Sequence, residues 1–204
     1  MITSIIWDFD GVIIDSMDIK GRGFAKLFKG YPETQVNEIV NYHFQNGGKS
    51  RFEKIKYFFN SILKEEISEA KIFHLANRFS NIIESEIYDE SYLITETVNF
   101  IKLNHEKYNF HIVSGAEHDE LNKICIYFNL NMYFMSIDGS PTKKTLLVKK
   151  LLDKYCYLKV ETVLIGDSNT DYEAARNNDI RFFGFRNTKL RKVSAKYIDS
   201  FNSF

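Results

Sequence analysis

Proline and cysteine are scarce in this 204-residue chain, which contains only two of each. Cys125 and Cys156 both have apolar or aromatic neighbours, which predicts buried, unreactive thiols and no disulfide framework. The two prolines leave no proline-rich linker, and no internal repeat is visible. No stretch approaches 18 consecutive apolar residues, so we expect no membrane-spanning segment.

Neither sign of charge is in excess, because 27 Lys and Arg residues balance 27 Asp and Glu residues. A nucleic-acid-binding surface normally needs a basic excess, so we expect no nucleic-acid partner. The N-terminal segment has no basic leader, and Asp8, Asp10 and Asp15 interrupt its apolar residues. With 44% hydrophobic and 26% charged residues, the chain is predicted to be a cytoplasmic protein of one large or two unequal domains.

The apolar pattern changes along the chain. From Asp15 to about Ile87 apolar residues recur mostly with helical spacing. From about Ser91 onward, short apolar strands alternate with helices, which predicts a parallel sheet with helices on both faces. We therefore predict an α/β fold in which a helical block follows the first strand of a doubly wound core. The predicted core strands are residues 5–7, 110–113, 163–165 and 181–185, and the predicted core helices are residues 95–105, 117–129, 142–155 and 169–178.

Two carboxylates stand directly after the first apolar strand. Asp8 and Asp10 are two residues apart, and Gly11 follows them. Ligands of open α/β sheets bind at the carboxyl ends of strands, and two carboxylates this close repel unless a cation or a shared proton intervenes. Gly11 permits a positive φ or a close approach of a ligand to the backbone. The segment indicates a metal site, although two aspartates in an ordinary turn would also account for it.

Two later segments offer groups that bind anions. Ser114 and Gly115 follow the strand 110–113 and are predicted to open a helix, which would present a hydroxyl and unpaired N–H groups. An N-cap serine would have the same sequence. Lys143 and Lys144 precede another apolar helix, and a lysine there would neutralise carboxylate and phosphate charge. Both lysines stay candidates, with Lys144 preferred.

A further acidic segment, Gly166–Asp171, also follows a strand and opens a helix. Its carboxylates, Asp167 and Asp171, are four residues apart and are suited to a metal. The spacing is not that of a calcium-binding loop, because Tyr172 occupies the position that needs glycine and Asn178 the position that needs a bidentate glutamate.

The four segments occur in the order typical of one family, and together they resemble the haloacid dehalogenase-like superfamily of phosphohydrolases. Its first motif matches Asp8–Val12, its second Ser114, its third Lys143 or Lys144, and its fourth Gly166–Asp171. The resemblance spans nearly the whole chain. It implies a Rossmann-like core formed by residues 1–15 and 89–204. Residues 16–88 then resemble the small helical cap of the phosphoglycolate phosphatase and β-phosphoglucomutase branch.

The resemblance also implies roles for the reacting groups. Asp8 would be the nucleophile that forms an aspartyl-phosphate, and Asp10 the acid that protonates the leaving oxygen and then activates water. Mg²⁺ would lie between the Asp8 carboxylate, the Asp10 carbonyl and the Asp167 carboxylate. A second aspartate in the first motif favours phosphoryl transfer over dehalogenation, because a departing halide needs no proton.

The remaining motif residues would hold the substrate or support the site. Ser114, the Gly115 N–H and Lys144 would bind the phosphoryl oxygens. Asp171 would orient the lysine or a metal-bound water, and Gly11 would let the substrate approach the backbone.

The predicted cap supplies two further substrate-binding candidates, Arg51 and Lys20. Arg51 belongs to the segment Gly47–Arg51, which resembles the cap loop of the β-phosphoglucomutase branch. The segment is not a nucleotide-binding phosphate loop, because it lacks the required first glycine and a preceding strand. Both side chains would be surface charges if the resemblance failed. The five histidines show no spacing typical of metal ligands.

These observations predict a magnesium-dependent phosphatase acting on a small phosphomonoester, with a sugar phosphate as the first expectation. A sugar phosphomutase is the nearest alternative, since it uses the same aspartyl-phosphate and returns the group to the substrate. A catalytically silent metabolite-binding protein on the same fold is the alternative from a different class.

Overall fold

A computed structural model describes residues 1–201 as a six-stranded parallel sheet flanked by helices. The strands are β1 (Ser4–Trp7), β2 (Asn109–Glu117), β3 (Ser136–Ser140), β4 (Thr162–Gly166), β5 (Arg181–Phe185) and β6 (Lys196–Ile198). The helices are α1 (Met17–Leu27), α2 (Glu33–Gln45), α3 (Arg51–Tyr57), α4 (Glu69–Ile87), α5 (Thr95–Asn104), α6 (His118–Tyr127), α7 (Lys144–Tyr155) and α8 (Asn169–Arg176). A π-helical segment, Phe58–Leu63, continues α3, and short 3₁₀ turns cover Glu90–Tyr92, Asn131–Tyr133, Lys159–Glu161 and Thr188–Lys192.

The strand order in the sheet is β3-β2-β1-β4-β5-β6, so successive strands are added first on one side of β1 and then on the other. From β1 the chain builds outward through β2 and β3, then returns to the other side of β1 with β4. Trp7 at the end of β1 is in register with Ile112 of β2 and Ile165 of β4. The carboxyl ends of these three strands therefore lie side by side at the switch point, where open α/β sheets bind ligands. The predicted Rossmann-like, doubly wound α/β core is confirmed.

Two apolar layers cover the two faces of the sheet. Ile5 and Trp7 of β1 point into one layer, and Ile6 between them points into the other, as the two-residue period of a strand requires. The first layer contains Ile101 of α5 and Leu121 of α6. The second contains apolar side chains of α7 and α8: Leu147, Val148, Leu151, Leu152, Ala174 and Ala175. Because β1 is buried on both faces, its residues after Ser4 form a continuous apolar run, Ile5–Trp7.

Helices α1 to α4, here called the helical block, lie between β1 and β2. Helix α1 packs against both α2 and α4. Phenylalanines fill the interior of the block: Phe24, Phe28, Phe58, Phe59 and Phe79 are all buried. This apolar cluster is continuous with the first layer on the sheet. The division into a core and a cap at the predicted boundaries stays a prediction.

The prediction that Ser114 and Gly115 open a helix was wrong. Ser114 and Gly115 do not open a helix, because β2 continues to Glu117 and α6 begins at His118. After an irregularity beyond Val113, β2 pairs again with β3 through Glu117. The Glu117 carboxylate then accepts bonds from the first N–H groups of α6, at 3.2 and 2.8 Å. These helix N–H groups are satisfied internally.

The prediction that both thiols are buried was wrong for Cys156. Cys125 lies in the apolar core, whereas Cys156 is exposed at the end of α7 in a left-handed conformation. Both cysteines are free. Within residues 1–201, none of the helices combines the length and apolar character needed to cross a bilayer.

Candidate active site

Three aspartates meet at the switch point of the sheet and form the acidic cluster. Asp8 follows β1, Asp167 follows β4, and Asp171 lies in the first turn of α8. One carboxylate oxygen from each lies within 4.8 Å of those of the other two. Asp8 and Asp171 are buried, and Asp167 is partly buried. The parallel register of β1 and β4 therefore brings together residues that are far apart in sequence.

Lys144 neutralises part of this negative charge. Its Nζ lies 2.8 Å from Asp8 Oδ1 and also pairs with the Asp171 carboxylate. Burial alone would lower the pKa of Lys144, but Asp171 and Asp8 raise it above its ordinary value. The adjacent Lys143 is exposed at the N-cap of α7. Of the two candidate lysines, the structure places Lys144 beside the predicted nucleophile.

The position of Asp171 follows from the start of α8. Ser168 is the N-cap residue, and its hydroxyl accepts a bond from the Asp171 N–H at 3.3 Å. In return, Asp171 Oδ2 accepts bonds from the Ser168 N–H at 3.0 Å and from its hydroxyl at 2.6 Å. This capping box fixes Asp171, which in turn holds the Lys144 ammonium.

The acidic cluster retains excess negative charge, since three carboxylates face one ammonium. Burial, together with the Asp171 charge, raises the pKa of Asp8 to about 7. Burial, followed by the charges of Asp8 and Asp171, raises the pKa of Asp167 well above its usual range. Carboxylate oxygens are the donors that Mg²⁺ prefers, so this cluster fits a hard divalent cation.

Gly11 makes the approach of Asp167 possible. It has a φ of +76°, and a Cβ at this position would lie 2.0 Å from Asp167 Oδ2. Any side chain at position 11 would therefore strain the backbone and displace a carboxylate of the acidic cluster.

The Asp10 carboxylate is paired with a lysine of the helical block rather than with Lys144 of the acidic cluster. Lys20 Nζ lies 2.5 Å from each of its oxygens, and the Ser16 hydroxyl donates a bond of 2.5 Å to Oδ1. Burial would raise the pKa of Asp10, but Lys20 and Ser16 hold it below its ordinary value. Asp8 and Asp10 therefore lie in surroundings of opposite charge, although one residue separates them.

Ser114 and Gly115 lie where β2 reaches the same edge of the sheet. Ser114 is buried, and its Oγ accepts a bond from the Ala116 N–H at 3.1 Å, which leaves its hydroxyl proton for another acceptor. A Cβ on Gly115 would lie 2.6 Å from the carbonyl oxygen of Gly48 in the helical block. The two backbones can approach this closely only because position 115 has no side chain.

A small cavity beside Asp10 has five basic side chains in its lining and is called here the cationic cavity. It measures about 20 Å³, enough for a single water molecule. Its basic lining consists of Lys20, Lys49, Arg51, Lys54 and His43, with Phe24 and Phe79 as apolar walls. Lys20 and Arg51, both predicted from the sequence, are therefore brought to one cavity next to Asp10.

Arg51 is already paired within the protein. Its guanidinium makes a bidentate ion pair with Glu120 of α6, including an Nη1–Oε2 distance of 2.9 Å, and bonds Ser80 of α4 at 2.6 Å. The pair joins the helical block to a helix of the sheet region. Burial would raise the pKa of Glu120, but Arg51 lowers it below its ordinary value.

Sequence reasoning missed Lys54 and His43. Lys54 lies three residues after Arg51, a spacing that places both side chains on one face of α3. That spacing was the available signal for Lys54. The contact with His43 depends on the packing of α2 against α3, which no local pattern encodes.

The sequence model of the haloacid dehalogenase-like hydrolase family matches residues 5–185. The chain belongs to this family. The predicted superfamily and the prediction of a hydrolase are thereby confirmed. Among the curated proteins, none matches the chain.

Solved structures of the same family show the same fold. β-Phosphoglucomutase from Clostridium difficile superposes with a TM-score of 0.80 at 18% identity, covering 100% of this chain and 93% of that one. A predicted phosphoglycolate phosphatase from Haemophilus somnus gives a TM-score of 0.76 at 16% identity, covering 98% and 95%. CbbY from Rhodobacter sphaeroides, solved in complex with phosphate, gives 0.76 at 14% identity, covering 98% and 95%.

Proposed function

We propose that this protein is a divalent-metal-dependent phosphatase that hydrolyses a small phosphomonoester through an aspartyl-phosphate on Asp8. The observation that carries the proposal is the shared ammonium of Lys144, which bonds Asp8 and Asp171 within the acidic cluster. A buried nucleophile beside a fixed cation suits attack on a phosphate, since both reactants are negatively charged.

Asp8 supplies the attacking oxygen in the first step. A bond forms between Asp8 and phosphorus while the bond from phosphorus to the ester oxygen breaks. The Phe9 N–H donates a 2.7 Å bond to Asp8 Oδ1, and Lys144 pairs with the same oxygen. These two contacts fix the carboxylate and leave Oδ2 for the reaction.

Asp10 moves the protons. It donates a proton to the departing ester oxygen and, in the second step, takes one from the water that attacks phosphorus and releases Asp8. With the Lys20 pair intact, Asp10 is an ionised carboxylate, which is the base form needed for the second step. Asp10 can carry a proton only when Lys20 no longer pairs with it. We propose that the leaving group of the bound substrate accepts a hydrogen bond from the Lys20 ammonium and so separates Lys20 from Asp10.

Asp8, Asp167 and the Asp10 carbonyl are the groups proposed to hold the metal. A bound Mg²⁺ would screen the negative charges of carboxylate and phosphate. Unaided hydrolysis of phosphate esters is so slow that the site must lower the barrier by roughly 20 kcal/mol or more, which requires several charged groups acting together.

Ser114, the Gly115 N–H and Lys144 are proposed to bind the oxygens of the transferring phosphoryl group. Ser114 has a free hydroxyl proton, and Lys144 is a buried, fully charged donor. Gly11 keeps the backbone open beside Asp167. Arg51, predicted to bind substrate, would first have to leave Glu120, so its contacts favour a role in joining the helical block to the sheet region.

A small phosphorylated metabolite suits the basic lining of the cationic cavity, which must widen to admit more than a water molecule, and a sugar phosphate is the first candidate. The solved relatives include a β-phosphoglucomutase and a CbbY variant bound to xylulose 1,5-bisphosphate. A phosphomutase remains the second candidate, because the cavity beside Asp10 has room for only about one water molecule and a mutase must exclude water.

The test measures phosphate release from p-nitrophenyl phosphate and a panel of sugar phosphates, with and without Mg²⁺. Magnesium-dependent release that disappears in Asp8→Asn supports the proposal. Isomerised phosphosugar without free phosphate would replace the phosphatase with a mutase. If no compound yields either free phosphate or isomerised phosphosugar, the proposed function is wrong.

A further inference from the structure

Within residues 1–201, one buried ammonium of the cationic cavity has no carboxylate partner. Lys54 is 3% exposed, yet it lines the cavity beside Asp10 and Lys20. The cavity lies between the helical block and β2, and Asp8, Asp167 and Asp171 of the acidic cluster do not line it. Lys54 has no part in the chemistry proposed above.

The ion pairs around the cavity account for the other buried charges. Lys20 is paired with Asp10, and Arg51 with Glu120. The partly exposed Lys49 bonds the Tyr42 hydroxyl at 2.9 Å. Among the residues described, no carboxylate lies within 4.0 Å of Lys54 Nζ. The cavity therefore carries one uncompensated buried cation.

The bonds that Lys54 does make hold it in place without neutralising it. Its Nζ lies 3.1 Å from His43 Nδ1 and 3.3 Å from the carbonyl oxygen of Gly47. The other ring nitrogen, His43 Nε2, lies 2.9 Å from the carbonyl oxygen of Met17, which can only accept. Nε2 therefore carries the ring proton, and Nδ1 accepts from Lys54. Hydrogen bonds use two of the three ammonium protons, and the third has no hydrogen-bond acceptor among the residues described, with the Phe24 ring centroid 6.0 Å from Nζ.

The electrostatic cost of this arrangement shows in the pKa values of both Lys54 and His43. Burial, and then the charge of Lys20, lowers the pKa of Lys54 to about 7. Burial, and then the charge of Lys54, lowers the pKa of His43 to about 3. An unpaired buried charge is destabilising, and an anion placed beside it removes that penalty.

We infer that Lys54 binds a second anionic group, a carboxylate or a phosphate, carried by the alcohol part of the substrate. This inference rests on the proposed function, because Asp10 marks the place where the leaving oxygen must lie. An anion bound there would also draw Lys20 away from Asp10, as proton donation requires. His43 is a positioning residue for Lys54.

Matched pairs of substrates test the inference without any mutation. The first pair is 2-phosphoglycolate and 2-hydroxyethyl phosphate, which differ in a carboxylate. The second is glucose 1,6-bisphosphate and glucose 1-phosphate, which differ in a phosphate. We expect kcat/KM to be roughly 10- to 100-fold higher for the charged member of at least one pair. The pair that responds identifies the anion.

Lys54→Met should remove most of that preference, and Lys54→Arg should retain part of it. The matched control is Lys56→Met, because Lys56 lies on the same helix with its side chain 56% exposed. We expect Lys56→Met to keep the wild-type ratio. The ratio within each pair is the readout, so a general loss of folded protein does not affect it.

The outcomes separate the two proposals. Equal kcat/KM within both pairs, or a preference for the charged substrate that survives Lys54→Met, would overturn the role of Lys54. Phosphate release from p-nitrophenyl phosphate would still support a phosphatase in that case. If no substrate is turned over, Asp8→Asn protein is titrated with 2-phosphoglycolate and glucose 1,6-bisphosphate by calorimetry. Binding that disappears in the Asp8→Asn, Lys54→Met double variant supports the anion site, and absence of binding overturns it.

Discussion

The two sides of Asp10 are buried to a similar degree but carry opposite charge. On the sheet side, three carboxylates of the acidic cluster share the single ammonium of Lys144. On the side of the helical block, Lys20, Arg51 and Lys54 share two carboxylates. Each side has excess charge, and burial makes that excess expensive. The excess charge of the sheet side therefore fits a cation, and the excess charge on the side of the helical block fits an anion.

The pKa values of Asp8 and Lys54 reflect the opposite charge of the two sides. Burial raises the pKa of Asp8 to about 7 and lowers that of Lys54 to about 7, from opposite directions. A substrate with a metal-bound phosphate at one end and an anion at the other would neutralise both sides at once. Four experiments test whether the two sides of Asp10 differ in this way.

The largest effect is expected from Asp8→Asn, which removes the proposed nucleophile. Phosphate release should fall by about 10⁴-fold or more. The melting temperature should not fall, because the substitution removes one charge from an overcharged cluster. Thermal denaturation and phosphate release are compared with Asp15→Asn, whose carboxylate is exposed and pairs with Arg186 at the surface. Substantial turnover by Asp8→Asn would contradict the assignment.

Lys144→Met should destabilise the protein by about 3–5 kcal/mol, because it leaves buried carboxylates without their cation. Chemical denaturation measures the free energy of unfolding, with Lys143→Met as the control because that neighbouring side chain is exposed. Lys54→Met is expected to raise the free energy of unfolding instead, because it removes a charge that has no carboxylate partner among the residues described. A stable Lys144→Met protein would mean that the acidic cluster does not need its ammonium.

Mg²⁺ should stabilise the sheet side. At a concentration 100 times its dissociation constant, a ligand that binds only the folded state adds about 2.7 kcal/mol, and a chelator reverses the gain. The melting temperature is measured with Mg²⁺ and with chelator for wild type and Asp167→Asn. A shift of equal size in Asp167→Asn would show that the ion binds elsewhere.

The smallest effect is a pH dependence on the block side. Between pH 7 and 10.5 an unfolded Lys54 is protonated while the folded residue is largely neutral, so unfolding is favoured as the pH falls. The penalty is fully present below pH 7 and absent above 10.5. Lys54→Met should therefore gain about 1 kcal/mol or more of stability at pH 6 compared with pH 10. Denaturation of Lys56→Met at both pH values provides the control. If Lys54→Met gained the same free energy of unfolding at pH 6 and at pH 10, Lys54 would carry no such penalty.

Much of the sheet side was predictable because parallel strands end at one edge. An apolar strand followed by Asp8 indicates where the carboxylate lies, and the same reasoning applies to Asp167 and Ser114. The doubly wound order then follows from strand–helix alternation. Lys144 could be preferred over Lys143 on motif spacing, although burial alone decides which lysine faces inward.

Other features depend on contacts between distant segments. β3 and β6 are short, and their sequences SIDGS and KYI lack an alternating apolar pattern, so neither was predicted. The extension of β2 past Ser114 depends on pairing with β3. The Arg51–Glu120 pair and the Lys54–His43 bond join separate helices, and local periodicity carries no information about such partners.

The close passage of Gly48 over Gly115 has a practical consequence. A single methyl group at position 115 would lie 2.6 Å from the Gly48 carbonyl oxygen and would act as a wedge between the helical block and the sheet. Gly115→Ala is thus a tool for trapping an open form of the enzyme for crystallography or ligand soaking. It would alter access to the cavity without removing any charged side chain.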